Sequence, residues 1–382
     1  MNVFIFSILR KINRRIKKHK KNRAGRILSA VRRIEHVSPP KERICAMTFD
    51  DGPTASPCFP TRSHHSPEGL TSHILDIMQK FNAKGTFNII GSTAENYPDT
   101  KGKLHYVFGN KYDHYPCFGA DDKAGASACP DLIKRMVNEG HELANHGYRH
   151  IIYGPEYFVY RKREFFKNID EVVADLQRLH DLIKNTTGQE MKLARPPHYV
   201  DKIGRFGRYN AYNAYEKMNY HYLAANTDGG GYLPTCGDYD TDVKKMITLL
   251  EEKLHIDPEG LSGSIIFQKD GYNMSVESPV ADALEKQLEL LTEYGYKVVT
   301  VSELLRISPF EDVAHDDECI EAVRVLDQAG YTIGFRNNTF QPDETYGTVA
   351  GFRCPGNVSE VTDKVKGKTR REAAIALWEE LT

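Results

Sequence analysis

No stretch of the 382 residues approaches the roughly 18 consecutive apolar residues that a membrane-spanning helix needs, which excludes an integral helical membrane protein. Cysteine is sparse and odd in number: Cys45, Cys58, Cys117, Cys129, Cys236, Cys319 and Cys354 form no C-x-x-C pair, so zinc-finger and thioredoxin-like frameworks are excluded. A chain this long needs no disulfide staples. The scattered thiols read as buried side chains in a reducing compartment, with a Cys117–Cys129 pairing left open. Hydrophobic residues at 40% and charged residues at 27% describe a water-soluble globular protein and exclude collagen-like and fully disordered chains.

The net charge of −1 conceals a strong asymmetry. Residues 1–36 carry 12 Lys and Arg against the single acid Glu35, leaving 39 basic and 51 acidic residues in 37–382. An anionic surface is therefore a partner for the tail only, and no nucleic acid is expected for the body. Within the tail Phe4, Ile8, Ile12 and Ile16 recur every four residues among Arg10, Lys11, Arg14, Arg15, Lys17 and Lys18. This is the pattern of a basic amphipathic helix lying on a membrane surface, with a solvated tail or a nucleic-acid contact as the alternatives. The apolar part is too short, and its charges too late, for a cleavable export signal. Pro39-Pro40 closes this first segment, 1–40.

From 41 to 306 short apolar runs alternate with helical patterns, the signature of a parallel α/β fold. The runs at 44–49, 85–90, 141–145, 264–267 and 297–301 predict strands. The periodicity predicts helices over 70–81, 131–139, 165–183, 242–254 and 281–294. Residues 92–128 lack periodicity and read as a loop insertion near the site. After Pro309 the composition changes. Asp317 is placed to cap a helix carrying Ile320, Val323, Leu326 and Ala329 up to Gly330, and Thr369 and Glu372 have capping-box spacing before a last helix. Residues 309–382 thus form a small helical module.

Three motifs carry chemistry. Thr48-Phe49-Asp50-Asp51-Gly52-Pro53 follows the first strand and holds two carboxylates at a strand's C-terminal end, where α/β barrels place their active sites; solvated aspartates in a turn are the bland alternative. His146 and His150 are four apart after another strand, so a helical turn puts both imidazoles on one face. Two histidines and one carboxylate make a half-open metal site with room for water and substrate. In Ala194-Arg195-Pro196-Pro197-His198 the prolines lack an N–H, so His198 offers the first backbone donor beside the Arg195 guanidinium.

In this order and spacing the motifs, together with Lys84-Gly85-Thr86-Phe87, resemble the polysaccharide deacetylase family with its NodB-homology domain, carbohydrate esterase family 4. The resemblance implies a distorted (β/α) barrel, one divalent metal, commonly zinc, and removal of N-acetyl groups from aminosugar polymers of peptidoglycan or chitin type. It implies Asp50 as general base oriented by Arg195, and Asp51, His146 and His150 as metal ligands. The His198 N–H would serve as oxyanion donor, with Pro197 and Tyr232 facing substrate. Three positions depart from the pattern: Lys269 stands where the family has its acid histidine, and Gly231 and Tyr232 stand where it has a supporting aspartate and tryptophan. Gly147 also replaces a hydroxyl residue of the histidine loop.

The sequence therefore predicts a deacetylase whose general acid is altered to Lys269, or a weakly active or inactive glycan-binding relative that keeps the cleft. A non-haem iron oxygenase is a third reading of the ligand set, disfavoured by the Asp-Asp pair and the short histidine spacing. The C-terminal module resembles a single S-layer-homology repeat, in Phe310-Glu311-Asp312-Val313, Thr339-Phe340-Gln341-Pro342 and Thr369-Arg370-Arg371-Glu372. In that family the Thr-Arg segment contacts anionic wall polysaccharide; a packing role is the alternative here. Substrate class and repeat point to the cell envelope or a membrane surface, the missing export signal to the cytoplasm.

Overall fold

The computed structural model describes residues 22–55, 69–92, 123–156, 164–231, 238–270, 278–347, 351–355, 365 and 367–381. The amphipathic pattern of Phe4, Ile8, Ile12 and Ile16, most of the 92–128 insertion, Cys117 and Tyr232 lie outside them. The described residues fall into two compact units. Pro40–Leu304 is one, and the chain on either side of it forms the other.

The larger unit runs β1 (Ile44–Asp50), α1 (Leu70–Lys80), β2 (Thr86–Ile89), α2 (Pro130–Asn138), β3 (Glu142–Asn145), α3 (Ile169–Thr187), β4 (Leu193–Ala194), α4 (Ala211–Met218), β5 (His221–Leu223), β6 (Thr227–Asp228), α5 (Tyr239–Ile256), β7 (Ile265–Lys269), α6 (Val280–Glu293) and β8 (Lys297–Val299). Its strands pair in the order β5-β4-β3-β2-β1-β7-β6, with β8 alongside the start of β1. These strands all pair parallel. The result is the distorted (β/α) barrel expected from the sequence. β1 is buried along its whole length, and Phe49 stacks on Phe87 of β2 at 4.8 Å, an aromatic pair worth about 0.5–1.5 kcal/mol beyond its buried area.

Element ends follow local hydrogen bonding more than apolar periodicity. The helix expected over 165–183 is displaced to Ile169–Thr187 because Asn168 caps it, accepting from the Glu171 N–H, and Gly188 closes it in the left-handed region. The helix expected over 242–254 begins at Tyr239 because Asp238 accepts from the Thr241 N–H at 3.1 Å. The strand expected to reach Val301 stops at Val299. Thr300 Oγ1 accepts from the Glu303 N–H, and α7 (Val301–Ile307) starts there. β4, β5, β6 and α4 lie outside the sequence expectation; the strands are only two or three residues long, too short for an alternation to register.

The second unit holds α8 (Ile320–Gln328) and α9 (Arg370–Leu381) around Phe310, Val313, Phe340 and Phe352. Of the two caps read from the sequence, the second is present, since Thr369 and Glu372 satisfy each other's backbone donors; Asp317 instead accepts from the N–H of Cys319, which is itself the N-cap of α8 and whose side chain caps nothing. Residues 25–38 belong to this unit. Arg32 reaches the Pro309 carbonyl at 2.7 Å and Asp327 at 3.0 Å, and Leu28 bridges Phe335.

Arg370 is fully buried, its guanidinium 4.7 Å from the Phe335 ring, 5.1 Å from Phe340 and 4.9 Å from Phe352, and it donates to the Phe340 and Ile333 carbonyls. Burial pulls its pKa down to about 10. This arginine is a core cation and is withheld from any external polysaccharide; its neighbour Arg371 pairs with Asp317 and Asp343, each at 3.0 Å. Arg370→Ala removes the cation–π contacts and leaves two carbonyls unsatisfied, so this unit should lose about 3 kcal/mol. Trp378, the only tryptophan, sits in α9 against this core and reports its unfolding in a denaturant titration. An unchanged midpoint would refute the structural role.

Candidate metal centre

The site is assembled at the C-terminal ends of β1, β3 and β7 and on the loop after β4. Asp50, the last residue of β1, is buried, and its Oδ1 accepts from Arg195 Nη1 at 2.5 Å and Asn88 Nδ2 at 2.8 Å. Arg195 has no solvent exposure. Its remaining donors reach Thr48 Oγ1 at 3.1 Å, the Ala224 carbonyl at 3.1 Å and the Leu223 carbonyl at 3.3 Å, and its guanidinium lies 5.0 Å from the Tyr199 ring and 5.4 Å from Phe267. Asp51 takes a positive φ of 80°, which points its carboxylate differently from that of Asp50.

The two histidines meet on a loop and not on the helical turn expected from their spacing. Gly147 at φ 85° and His150 at φ 52° break any helix between them. Asn145 Oδ1 accepts from the Gly147 N–H, while buried Asp175 on α3 accepts from the Tyr148 N–H at 2.8 Å and pairs with Arg149 at 2.9 Å. A side chain at 147 would be strained at that φ and would come within 3.2 Å of the Asp175 carboxylate, so glycine suits this position. The imidazole centroids of His146 and His150 end 5.1 Å apart.

Asp51 Oδ1 lies 3.2 Å from Nε2 of both His146 and His150, and the ligand atoms of the three residues fall within 4.8 Å of one another. His146 Nδ1 is 2.8 Å from the Arg195 carbonyl, so the proton sits on Nδ1 and the Nε2 lone pair faces Asp51. Burial, against the pull of Asp51, lowers the His150 pKa and favours its neutral, ligating form. The donor set fits a divalent cation.

Pro197 is buried and His198 exposed in a short 3-10 turn over Pro197–Tyr199, with His198 at φ 55° and its ring 5.3 Å from that of His150. Lys269 ends β7 in register with Asp50, and because β7 pairs with both β1 and β6, Lys269 is not on an edge strand. Its ammonium donates to Asp51 Oδ2. Burial alone would raise the Asp51 pKa, yet Lys269 and the two histidines hold it well below the usual range. Burial likewise pulls Lys269 down, and Asp51 and Asp50 more than compensate, leaving it raised.

Asn88, Thr48, Asp175 and Asp270 belong to the site and were not singled out from the sequence. The signal was there for Asn88, a polar residue in the middle of an apolar strand. Asp270 Oδ1 accepts from Thr71 Oγ1 at 2.7 Å, while Oδ2 is buried without a hydrogen-bond partner among the described residues. Burial, with Asp51 nearby, pushes the Asp270 pKa well above the ordinary carboxylate range. A raised folded-state pKa means that the unfolded chain ionises first, so Asp270 costs stability progressively as pH climbs above about 4. Asp270→Asn should therefore match the parent protein at pH 4 in thermal melts with chelator and melt higher at pH 7. Equal melting temperatures at pH 7 would contradict the assignment of a neutral acid.

Residues 37–222 match the polysaccharide deacetylase family model. The chain is 24% identical over 270 residues to the peptidoglycan-N-acetylmuramic acid deacetylase PdaC of Bacillus subtilis, covering 71% of this chain and 40% of PdaC. It is also 24% identical over 271 residues to a peptidoglycan-N-acetylglucosamine deacetylase of Bacillus cereus, covering 70% of this chain and 91% of that protein. Among solved structures, the chitin deacetylase of Colletotrichum lindemuthianum superposes with a TM-score of 0.48 at 20% identity, covering 73% of this chain and 92% of that one. Over the barrel the chain is thus similar to polysaccharide deacetylases, by the family model across residues 37–222 and by its curated relatives.

Proposed function

We propose that the barrel is a metal-dependent hydrolase that removes N-acetyl groups from an N-acetylglucosamine-containing polysaccharide of peptidoglycan or chitin type. The observation that carries this reading is the convergence of Asp51, His146 and His150 beside the Asp50–Arg195 pair. These three side chains would hold the cation, and an Asp-His-His set with open positions suits zinc. When bound, such a cation supplies a Lewis acid that polarises the scissile amide carbonyl and acidifies water.

The chain's own residues do the rest. Asp50 Oδ1 is taken up by Arg195 and Asn88, which leaves Oδ2 to accept the proton of the attacking water. Arg195 cannot move without breaking its bonds to Thr48, Leu223 and Ala224, so the base is held in one orientation. The His198 N–H, the first after two prolines, donates to the developing oxyanion, with Pro197 bordering the sugar. The departing amine needs a proton. Lys269 Nζ carries one beside the reacting centre, but the acids around it hold that proton tightly, so this step is slow.

Metal-loaded protein should release acetate from N-acetylglucosamine oligomers. Asp50→Asn should lose on the order of 10²–10⁴-fold in kcat/KM, and chelation should abolish release. Absence of acetate from every acetylated glycan tried would refute the hydrolase reading. The Lys269–Asp51 pair favours a second reading, a glycan-binding protein with little turnover. In that case oligosaccharide binding persists in the parent protein, and Lys269→His raises hydrolysis from near zero.

A further inference from the structure

The two oxygens of Asp51 face different groups. Oδ1 points to His146 and His150, the side from which a metal would be bound, while Oδ2 holds the Lys269 ammonium. Around this point the ionised acids are Asp50 and Asp51, burial keeping the neighbouring Asp270 protonated, and the fixed cations are Arg195 and Lys269, so with neutral imidazoles the charges already cancel. A divalent ion added to that set leaves two uncompensated positive charges in a site shielded from solvent, where like charges repel strongly.

No acid from the Gly231 side can restore the balance. At Gly231, where the family carries an aspartate, a Cβ would come within 2.3 Å of the Phe267 ring, so no carboxylate fits without repacking. Lys269 cannot withdraw by moving its backbone either. It ends an interior strand in register with Asp50, and the Asp270 N–H that follows bonds the Asp50 carbonyl at 2.7 Å. Only its flexible stem can give way, and the side chain keeps about a quarter (24%) of its surface in solvent, an exit toward water.

We infer that Lys269 is a resident cation that occupies Asp51 when the metal is absent, so that metal loading is an exchange of one cation for another and the affinity is set low by this lysine. The inference rests on the metal-binding reading proposed above and adds a regulatory element to the same site: the protein is loaded only where free metal is abundant, and it stays charge-balanced and folded when empty.

The test is a zinc titration of the full chain against a competing fluorescent chelator at constant pH, with Lys269→Gln, with Lys269→Met, which keeps the volume of the stem, and with Lys286→Gln as a control on an exposed lysine. Removing the resident charge should tighten the zinc Kd by about tenfold or more, equivalent to about 1.4 kcal/mol, and Lys286→Gln should leave it unchanged. Thermal melts give an independent readout. In chelator the Lys269 variants should melt below the parent protein because Asp51 loses its partner, and saturating zinc should raise them by more than it raises the parent. Zinc binding by the variants alone also supports the exchange. Equal or weaker affinity in both variants, with the parent still binding zinc, overturns this inference and leaves the hydrolase reading standing. Failure of every form to bind any divalent ion overturns both.

Discussion

One residue organises the centre twice over. The Arg195 side chain fixes the Asp50 carboxylate, and its backbone carbonyl fixes the tautomer of His146. The proposed general base and one proposed metal ligand are therefore registered to each other through a single buried residue at the end of β4. A buried ion pair is weak evidence for stability, because removing two charges from water offsets much of their attraction. Here the cost is limited because the guanidinium donors reach Asp50, Thr48 and two carbonyls while its faces lie near Tyr199 and Phe267. Such an arrangement is rigid by construction, and rigidity is what a site that must hold a proton acceptor in place requires.

Much of the barrel and most of the candidate site were legible in the sequence for the same reason. The long apolar strands end in chemically unusual clusters, and Asp50-Asp51, His146 and His150, and Arg195 follow β1, β3 and β4. What stayed hidden has two causes. Strands of two or three residues, such as β4 and β6, are shorter than the period that would reveal them, so their pairing comes from tertiary context. Supporting residues such as Asn88 and Asp175 act across elements, and nothing local in the sequence tells which carboxylate or amide will face the site. The helical spacing of the histidines was informative although the helix was wrong: the loop through Gly147 delivers both imidazoles to one point by a different path.

Two of the departures from the family pattern have a common physical setting. Gly231 and Lys269 flank Phe267, whose ring fills the space a side chain at 231 would need. Such paired changes are what packing predicts, since a single polar substitution in a dense interior leaves an unsatisfied group.

The smaller unit is built from both flanks of the barrel, with Arg32 anchored at Pro309 and Asp327 and Leu28 bridged to Phe335. During synthesis the segment 25–38 leaves the ribosome before the barrel, but its partners emerge only after it. The barrel can thus complete its fold while the earliest described stretch still waits exposed. The flanking unit therefore closes on this segment only after residues 309–338 have been made.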